Sequence, residues 1–587
     1  MFKKKRCKVK FRKEKPTVKL VINGMEILAY QDETIFQAAE RNCINIPHFC
    51  YHPRLKVVGA CRMCVVEVEG RRNLEASCST PVKEGQVVYT HSERVIEARR
   101  TILELLLANH DLNCPTCKKN LNCKLQEYST DLMIDEISYV GEMRHNPKDH
   151  SSVSIQRDPD KCILCGRCVR VCGDVQTVHA IGQVNRGFYM NVEPPFKHEL
   201  SESSCINCGQ CVVNCPVGAL TEHSSIHEFI KELVDKSKTK KHFVVQVAPS
   251  IRATLGELFG MPAGTPVTGK LVTALREVGF DMVFDTDLAA DITIVEEATE
   301  FVKRLKNNDN LPMITTCCPA WIKFGEQFFI DELEHMSSCR SPQAILASLV
   351  RTYYAEKKGV DADDIVLVDI MPCTAKKYEI QRPEFAGDVD YVLTTVELAK
   401  LIKQFNIDFE DLPDSEFDNP LGISSGAGAI FGRSGGVMEA ALRTAADFLT
   451  GKDLKKVEYE KVRGLETLKE AEINIAGHKI KVAAVQTLGE ARKIMDDIRA
   501  GKSPYHFIEI MACYGGCIGG GGQPPLKDDD VLVERAGALN KQDVKMKYRK
   551  SHKNPAVLEI YKEYVGEFGG EKAHKLLHTK YSKKDYI

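Results

Sequence analysis

No stretch of this 587-residue chain approaches the ~18–20 apolar residues of a membrane-spanning helix; LELLLA (103–108) is far too short. Neither sign of charge is in excess. The 80 Lys and Arg meet 81 Asp and Glu, for a net charge of −1 and a pI near 7.0. That balance implies no general affinity for nucleic acid or for a membrane surface. The opening MFKKKRCKVKFRKEK has no apolar signal core. GxGxxG and flavin motifs are also missing, so a pyridine nucleotide or flavin is expected on another chain. What the chain has is cysteine, 23 of them. A small secreted protein would spend them on disulfides. In a chain this long, with no signal core, they point to a reducing, cytoplasmic, metal-loaded protein of roughly four domains at about 150 residues each.

Residues 1–16 read as a solvated basic tail, or as an electrostatic contact with a partner. From Thr17 the pattern TVKLVINGMEILAY predicts two strands around Asn23–Gly24, a strong hairpin signal. A helix, ETIFQAAERN, follows. Cys50, Cys61, Cys64 and Cys78 then stand at C-x10-C-x2-C-x13-C. Four thiolates suit a 2Fe–2S cluster, and zinc is the rival; the hairpin and helix favour a ferredoxin-type domain over 17–93. A predicted helix over 94–109 leads into His110, Cys114, Cys117 and Cys123. A lone histidine is usually structural, but three cysteines at ligand spacing directly after it make it a candidate ligand in a module over 94–149. Within 150–225, CILCGRCVRVC and CINCGQCVVNCP repeat C-x2-C-x2-C-x3-C, the bacterial two-cluster ferredoxin run. The fourth cysteine of each such run ligates the other cluster. One set is therefore Cys162, Cys165, Cys168 and Cys215; the other is Cys205, Cys208, Cys211 and Cys172.

After a charged helix and linker, β and α patterns alternate, with one helix read at EEATEFVKRLKN from Glu296; this predicts a parallel sheet with flanking helices over 238–547. Three cysteine stretches organise this half: ITTCCPAWIKF (314–324), DIMPCTAKKYE (369–379) and IMACYGGCIGGGGQP (510–524). Each follows or overlaps an apolar run that reads as a buried parallel strand. Ligands in such sheets sit beyond the carboxyl ends of the strands, so the cysteines are expected to converge at one sheet edge. Cys318, Cys373, Cys513 and Cys517 would suit a 4Fe–4S cluster, leaving Cys317 spare. Buried cysteines can also be simple small hydrophobes, but the repeated Gly and Pro settings argue against it.

These three stretches resemble the signatures TSCCPxW, MPCxxKK and MxCxxGCxxGGGQP of the FeFe-hydrogenases, in order, with Thr316 in place of a serine and Gly519 where the family often has Asn. The resemblance implies an H-cluster: a 4Fe–4S cubane on Cys318, Cys373, Cys513 and Cys517, bridged through Cys517 to a two-iron site with carbon monoxide, cyanide and a dithiolate. It implies that Pro249, Ser250, Gln343, Met371 and Met511 contact that site, and that Lys376 hydrogen-bonds a cyanide. It implies a proton route from Cys317 through Glu297, Ser337 and Glu300 to Arg304. On residues alone, Glu297 and Glu300 are just an acidic helical face. The Gly-rich segment 425–442 is expected to pack closely around the cluster. The N-terminal sites resemble the 2Fe–2S and His-plus-three-Cys 4Fe–4S sites of large FeFe-hydrogenases and of the complex I large subunit. The tail from 548 resembles a small subunit of the family.

The expected fold is therefore multidomain α+β: a β-grasp-like 2Fe–2S domain, a His/Cys 4Fe–4S module, a 2[4Fe–4S] ferredoxin domain and an α/β H-cluster domain. The cofactors would be the H-cluster, one 2Fe–2S and three accessory 4Fe–4S clusters. The expected activity is interconversion of dihydrogen with protons and electrons, by a monomer serving ferredoxin or by the catalytic subunit of an electron-bifurcating complex with flavin/NAD(P)-binding and small 2Fe–2S subunits. A non-catalytic iron–sulfur assembly or sensory relative is the competing class. Cys7, Cys43 and Cys339 have no assigned role.

Overall fold

A computed structural model of the chain describes residues 16–455, 457–475, 477–526 and 528–584. All of the basic tail except its last residue, including Cys7, falls outside the described residues. The first domain is a five-stranded sheet in the order Met25–Tyr30, Thr17–Ile22, Val87–Tyr89, Val65–Val68, Glu75–Ala76. Thr17–Ile22 runs antiparallel to Met25–Tyr30 but parallel to Val87–Tyr89. Asn23 and Gly24, at φ 52° and 79°, supply the left-handed pair that a two-residue hairpin demands. The helix Ile35–Arg41 buries Ile35, Phe36, Ala38 and Ala39, and a Thr34–Gln37 capping box starts it.

The cysteine repeat gives two matching halves. Gly166 and Gly209 take left-handed conformations at φ 68° and 67°, and each opens a short helix, Arg167–Arg170 and Gln210–Asn214. Only glycine adopts that conformation without strain between two closely spaced cysteines.

The catalytic half differs from the single sheet expected. It has two four-stranded sheets. One is wholly parallel: Met282–Asp285, His242–Val247, Ile365–Met371, Tyr391–Thr394. In the other, Met313–Ile314, Phe507–Met511 and His478–Gln486 are parallel, and Leu468–Ile475 is antiparallel at the edge. The cysteine strands are thus split between sheets, and their carboxyl ends meet in between. The helix expected from Glu296 begins ten residues earlier, as Thr286–Asn307, with Asp285 accepting from the Asp287 N–H at its start. Every residue from Thr286 to Ala298 is buried, so this stretch has no polar face and no helical periodicity to read. The C-terminal segment wraps this helix: Ser551 Oγ and Asn554 Nδ2 donate to Asp291 at 2.7 and 2.9 Å.

The ferredoxin domain docks on the catalytic half at the cysteine loops themselves. Thr374 Oγ1 donates to Asn207 O at 2.8 Å, and Gln210 Nε2 to Gly519 O at 3.0 Å. Gln176 Nε2 donates to Ala512 O at 2.8 Å. A Cβ on Gly521 would lie 2.4 Å from Cys208 O and 2.7 Å from Gly209 Cα. The two backbones touch because neither has a side chain there. Gly521→Ala should therefore overpack this contact and cost about 1–3 kcal/mol. A lowered midpoint in anaerobic thermal unfolding checks this; an unchanged midpoint would mean the contact is slack.

Candidate active site and cluster sites

The strand ends border a cavity whose lining includes Cys318, Cys373, Cys513 and Cys517. Cys318 caps the helix Pro319–Phe328, with Pro319 at its first position. Cys373 and Cys513 each sit two residues beyond a strand, Ile365–Met371 and Phe507–Met511. Cys517 lies in the tight turn Gly516–Gly519, reached through Gly515 and Gly516, both at φ 82°. A Cβ on Gly516 would lie 2.5 Å from Ser434 N, so the turn can only close on glycine. Gly519 has a similar reason: a Cβ would fall 2.1 Å from Tyr514 O.

Cys317, Pro249, Ser250, Gln343, Met371, Lys376 and Met511 line the same cavity, so the structure brings the whole expected set together. Lys376 donates to Ser341 Oγ at 2.8 Å and Glu379 Oε2 at 2.7 Å, which leaves one of its three N–H donors. Burial disfavours its charge, but the Glu379 carboxylate outweighs this and holds its pKa above the usual lysine value. Gln343 Nε2 also donates to Glu379, at 3.1 Å, while Gln343 Oε1 is buried without a partner. Gln523 Nε2 donates to Ser250 Oγ and to Cys517 O, both at 3.2 Å. Glu509 accepts from Gly435 N at 2.6 Å and Met438 N at 2.7 Å, fixing the start of the helix Gly436–Thr450. Gln523 stands in the GGGQP end of the third signature, whereas Glu379 and Glu509 were not singled out in the sequence. Of those two only Glu379 had a signal, its i, i+3 spacing from Lys376.

On one side of the cavity the expected acids follow in line. Burial, then the Cys517 and Cys318 sulfurs, push the Cys317 thiol well above its ordinary pKa. Glu297 is buried, and neither carboxyl oxygen makes a well-formed hydrogen bond. Burial, then the nearby Glu300, raise its pKa to about 8, against the opposing pull of Ser337 and the Thr316 N–H. Ser337 Oγ donates to Glu300 Oε2 at 3.1 Å, and Arg304 Nη2 to Glu300 Oε1 at 2.7 Å. Thr316 Oγ1 ties the Cys317 segment to Cys339 O at 2.7 Å.

The remaining cysteines group around further cavities. Cys162, Cys165, Cys168 and Cys215 line one, and Cys172, Cys205, Cys208 and Cys211 another. His110, Cys114, Cys117 and Cys123 share another. There burial lowers the pKa of His110 to about 4, and its Nδ1 has no partner, as a neutral metal ligand requires. Cys50 pairs with Cys61 and Cys64 with Cys78, side chain to side chain. Thiols spaced around a void suit a multi-iron cluster. Arg170 Nη2 donates to both Cys50 O at 2.6 Å and Cys165 O at 3.3 Å, joining the first site to the third. Gly218, whose Cβ would lie 2.6 Å from Cys117 Sγ, sits between Val217 and Ala219 of the Cys162 cavity, joining the second site to the third.

Such a fold, with a file of thiol-lined voids ending at a buried acid–thiol cavity, defines a multi-cluster iron–sulfur oxidoreductase. Comparison with known families is specific. The iron only hydrogenase large subunit, C-terminal domain, matches residues 241–521, and the iron hydrogenase small subunit matches 529–584. A 2Fe-2S iron-sulfur cluster binding domain matches 15–93, which sets zinc aside at the first site. The NADH-ubiquinone oxidoreductase-G iron-sulfur binding region matches 99–138, and the NADH-quinone oxidoreductase subunit 3 ferredoxin-like domain matches 152–221. The NADP-reducing hydrogenase subunit HndD of Solidesulfovibrio fructosivorans is 47% identical, covering 97% of this chain and 99% of its own. Iron hydrogenase 1 of Clostridium pasteurianum is 40% identical over 96% of this chain and 100% of its own. A solved structure of a variant of the [FeFe]-hydrogenase HydA1 from Chlamydomonas reinhardtii is 40% identical at a TM-score of 0.56, covering 62% of this chain and 99% of that one. The chain belongs to the FeFe-hydrogenase family, as a large subunit with N-terminal iron–sulfur domains, and is an iron hydrogenase. No helix among the described residues is long and apolar enough to cross a membrane.

The raised Glu297 pKa has a stability consequence. Folding favours its protonated form, so the contribution is complete below about 4.5 and is lost as pH rises through about 8. Glu297→Gln removes that dependence. Its unfolding midpoint relative to wild type should therefore climb between pH 5 and pH 9; a difference that stays constant would show that Glu297 titrates normally.

Proposed function

We propose that the chain is the catalytic subunit of a hydrogenase complex, passing electrons between dihydrogen and a flavin/NAD(P)-binding partner, with ferredoxin as a second carrier and bifurcation at the flavin or at a cluster junction. The observation that carries this is the junction itself: the first and second cysteine sites both abut the Cys162 cavity, giving two inlets to one wire. A single soluble carrier needs one inlet. The likeness to a relative named as an NADP-reducing hydrogenase subunit supports the partner, since this chain has no dinucleotide motif of its own. On this reading the protein is cytoplasmic, and its units run 17–93, 94–149, 150–225, 238–547 and 548–587.

In that assignment one 2Fe–2S cluster is held by Cys50, Cys61, Cys64 and Cys78. Three accessory 4Fe–4S clusters take the His110 set and the two crossed ferredoxin sets. The H-cluster cubane takes Cys318, Cys373, Cys513 and Cys517. When bound, the H-cluster supplies the iron at which dihydrogen is formed or split. The protein's own residues do the rest. Lys376, oriented by Glu379, offers its free N–H to an anion in the cavity by a charge-assisted bond. The apolar wall of Pro249, Met371 and Met511 excludes bulk water. Cys317, next to Cys318 on extended backbone, faces away from the cubane and exchanges protons with Glu297, whose pKa near 8 suits work close to neutral pH. Ser337 and Glu300 carry the proton on toward Arg304.

Anaerobic isolation from the native host tests the partner reading. Co-purification with flavin- and 2Fe–2S-containing subunits is expected; a solitary chain fully active with ferredoxin alone overturns it. For the proton route, Cys317→Ala should keep its iron and the infrared bands of the metal-bound ligands, yet lose at least about 10²-fold in turnover. Loss of the cluster would make Cys317 a ligand, and near-normal turnover would remove it from the route.

A further inference from the structure

Glu300 has a second hydrogen-bonded neighbour that the route to Arg304 does not use. Ser338 Oγ lies 3.3 Å from Glu300 Oε2 and 2.8 Å from His578 Nδ1. His578 Nε2 lies 2.9 Å from Glu296 Oε2. The order Glu296–His578–Ser338 is that of an acid–imidazole–hydroxyl triad, with Glu300 at the hydroxyl end. The C-terminal segment supplies the imidazole, and backbone bonds hold it in register: Thr579 N donates to Ser338 O and Arg340 N to Leu577 O, both at 2.8 Å. His578 itself is buried, with its side chain 6% exposed. The exposed His574 packs against it with ring centroids 4.3 Å apart.

We propose that this triad is a second proton branch on Glu300, running through Ser338 to His578 in parallel with Arg304; it rests on the hydrogenase reading above.

The argument is one of donor counting. Glu296 also accepts from Tyr561 OH and from Gly569 N, the latter at 3.0 Å, so it acts as acceptor only and fixes the proton of His578 on Nε2. Neutral His578 then presents a bare Nδ1. Ser338 has one hydroxyl proton and two acceptors, Nδ1 and Glu300. With His578 neutral the hydroxyl can point to Nδ1. With His578 protonated, Nδ1–H donates to Ser338 Oγ and the hydroxyl must turn to Glu300. Inward transfer follows as one concerted shift: Nδ1–H passes to Ser338 Oγ while Ser338 O–H passes to Glu300. His578 is left neutral on Nε2–H, and one proton has moved with no net change at Ser338. Outward transfer is the reverse.

The other groups facing His578 leave it this freedom. Burial, then Glu296, push the Tyr561 phenol well above its usual pKa, and burial does the same to the Cys339 thiol, so both stay neutral. Arg340 spends its Nε on His578 O at 3.1 Å rather than on the ring. His578 acts through Ser338 and Glu300, and so is a positioning and relay residue rather than a catalytic one.

The test uses the full matured chain. His578→Gln keeps a donor for Glu296 and an acceptor for Ser338 but cannot titrate. Two parallel branches predict that His578→Gln and Arg304→Gln each lose less than about 10-fold in turnover, and that the double variant loses at least about 10²-fold, more than the product of the two. The same factor for His578→Gln in both backgrounds, or no effect in either, overturns the proposal. A second readout needs no active enzyme. In the chain expressed without the two-iron site, the infrared carboxyl band abolished by Glu300→Gln should titrate at a different pH in His578→Gln than in wild type; an unmoved midpoint overturns the relay. If His578→Gln does not fold, Ser338→Ala carries both measurements. A matured wild type without hydrogenase activity would refute the functional reading instead, and the infrared titration would still decide the relay.

Discussion

Backbone touches backbone where the Cys208–Gly209 turn meets the Gly520–Gly522 run, and the remaining architecture depends on that contact. A Cβ on Gly209 would lie 2.3 Å from Thr374 Oγ1 and 3.0 Å from Gly521 Cα. No side chain fits between the two loops. Cys208 belongs to the last ferredoxin cavity, and Cys373, Cys513 and Cys517 to the catalytic one. Electron transfer needs these voids side by side, and glycine is what removes the intervening atoms. The hydrogen bonds around the contact, from Thr374 to Asn207 and from Gln210 to Gly519, then hold it without slack.

Burying so many thiols and acids is expensive unless each charge is paired. The catalytic half meets this with buried ion pairs near the site. Arg382 grips Glu326 through two bonds of 2.9 and 2.8 Å, and Arg443 bridges Glu439 and Asp543. Removing one partner of such a pair typically costs about 3–5 kcal/mol, because the other charge is left buried alone. Glu297 is an exception: it has no cation and no good hydrogen bond, and burial, then Glu300, raises its pKa to about 8, a value that suits moving protons.

On the proposed function, electrons and protons leave by different sides of the site: electrons along the cysteine cavities toward the N-terminal domains, and protons along the face of the helix Thr286–Asn307, which the C-terminal segment covers. That segment is therefore more than a strap: Tyr561, Gly569 and His578 all converge on Glu296, one residue from Glu297.

The sequence by itself determined the cysteine sets, the ferredoxin repeat, the hairpin at Asn23–Gly24 and the three hydrogenase signatures. These are local: ligand spacing and turn chemistry are written within a dozen residues. It did not reveal that the cysteine strands belong to two sheets, because a buried parallel strand reads as the same apolar run in either. Nor did it reveal the ten residues of helix before Glu296, since an element buried on all sides carries no periodicity. Glu509 and the Glu296–His578–Ser338 triad were decided by tertiary structure alone. Each depends on partners brought together by folding, 240 positions apart for Ser338 and His578, and no spacing rule spans that distance.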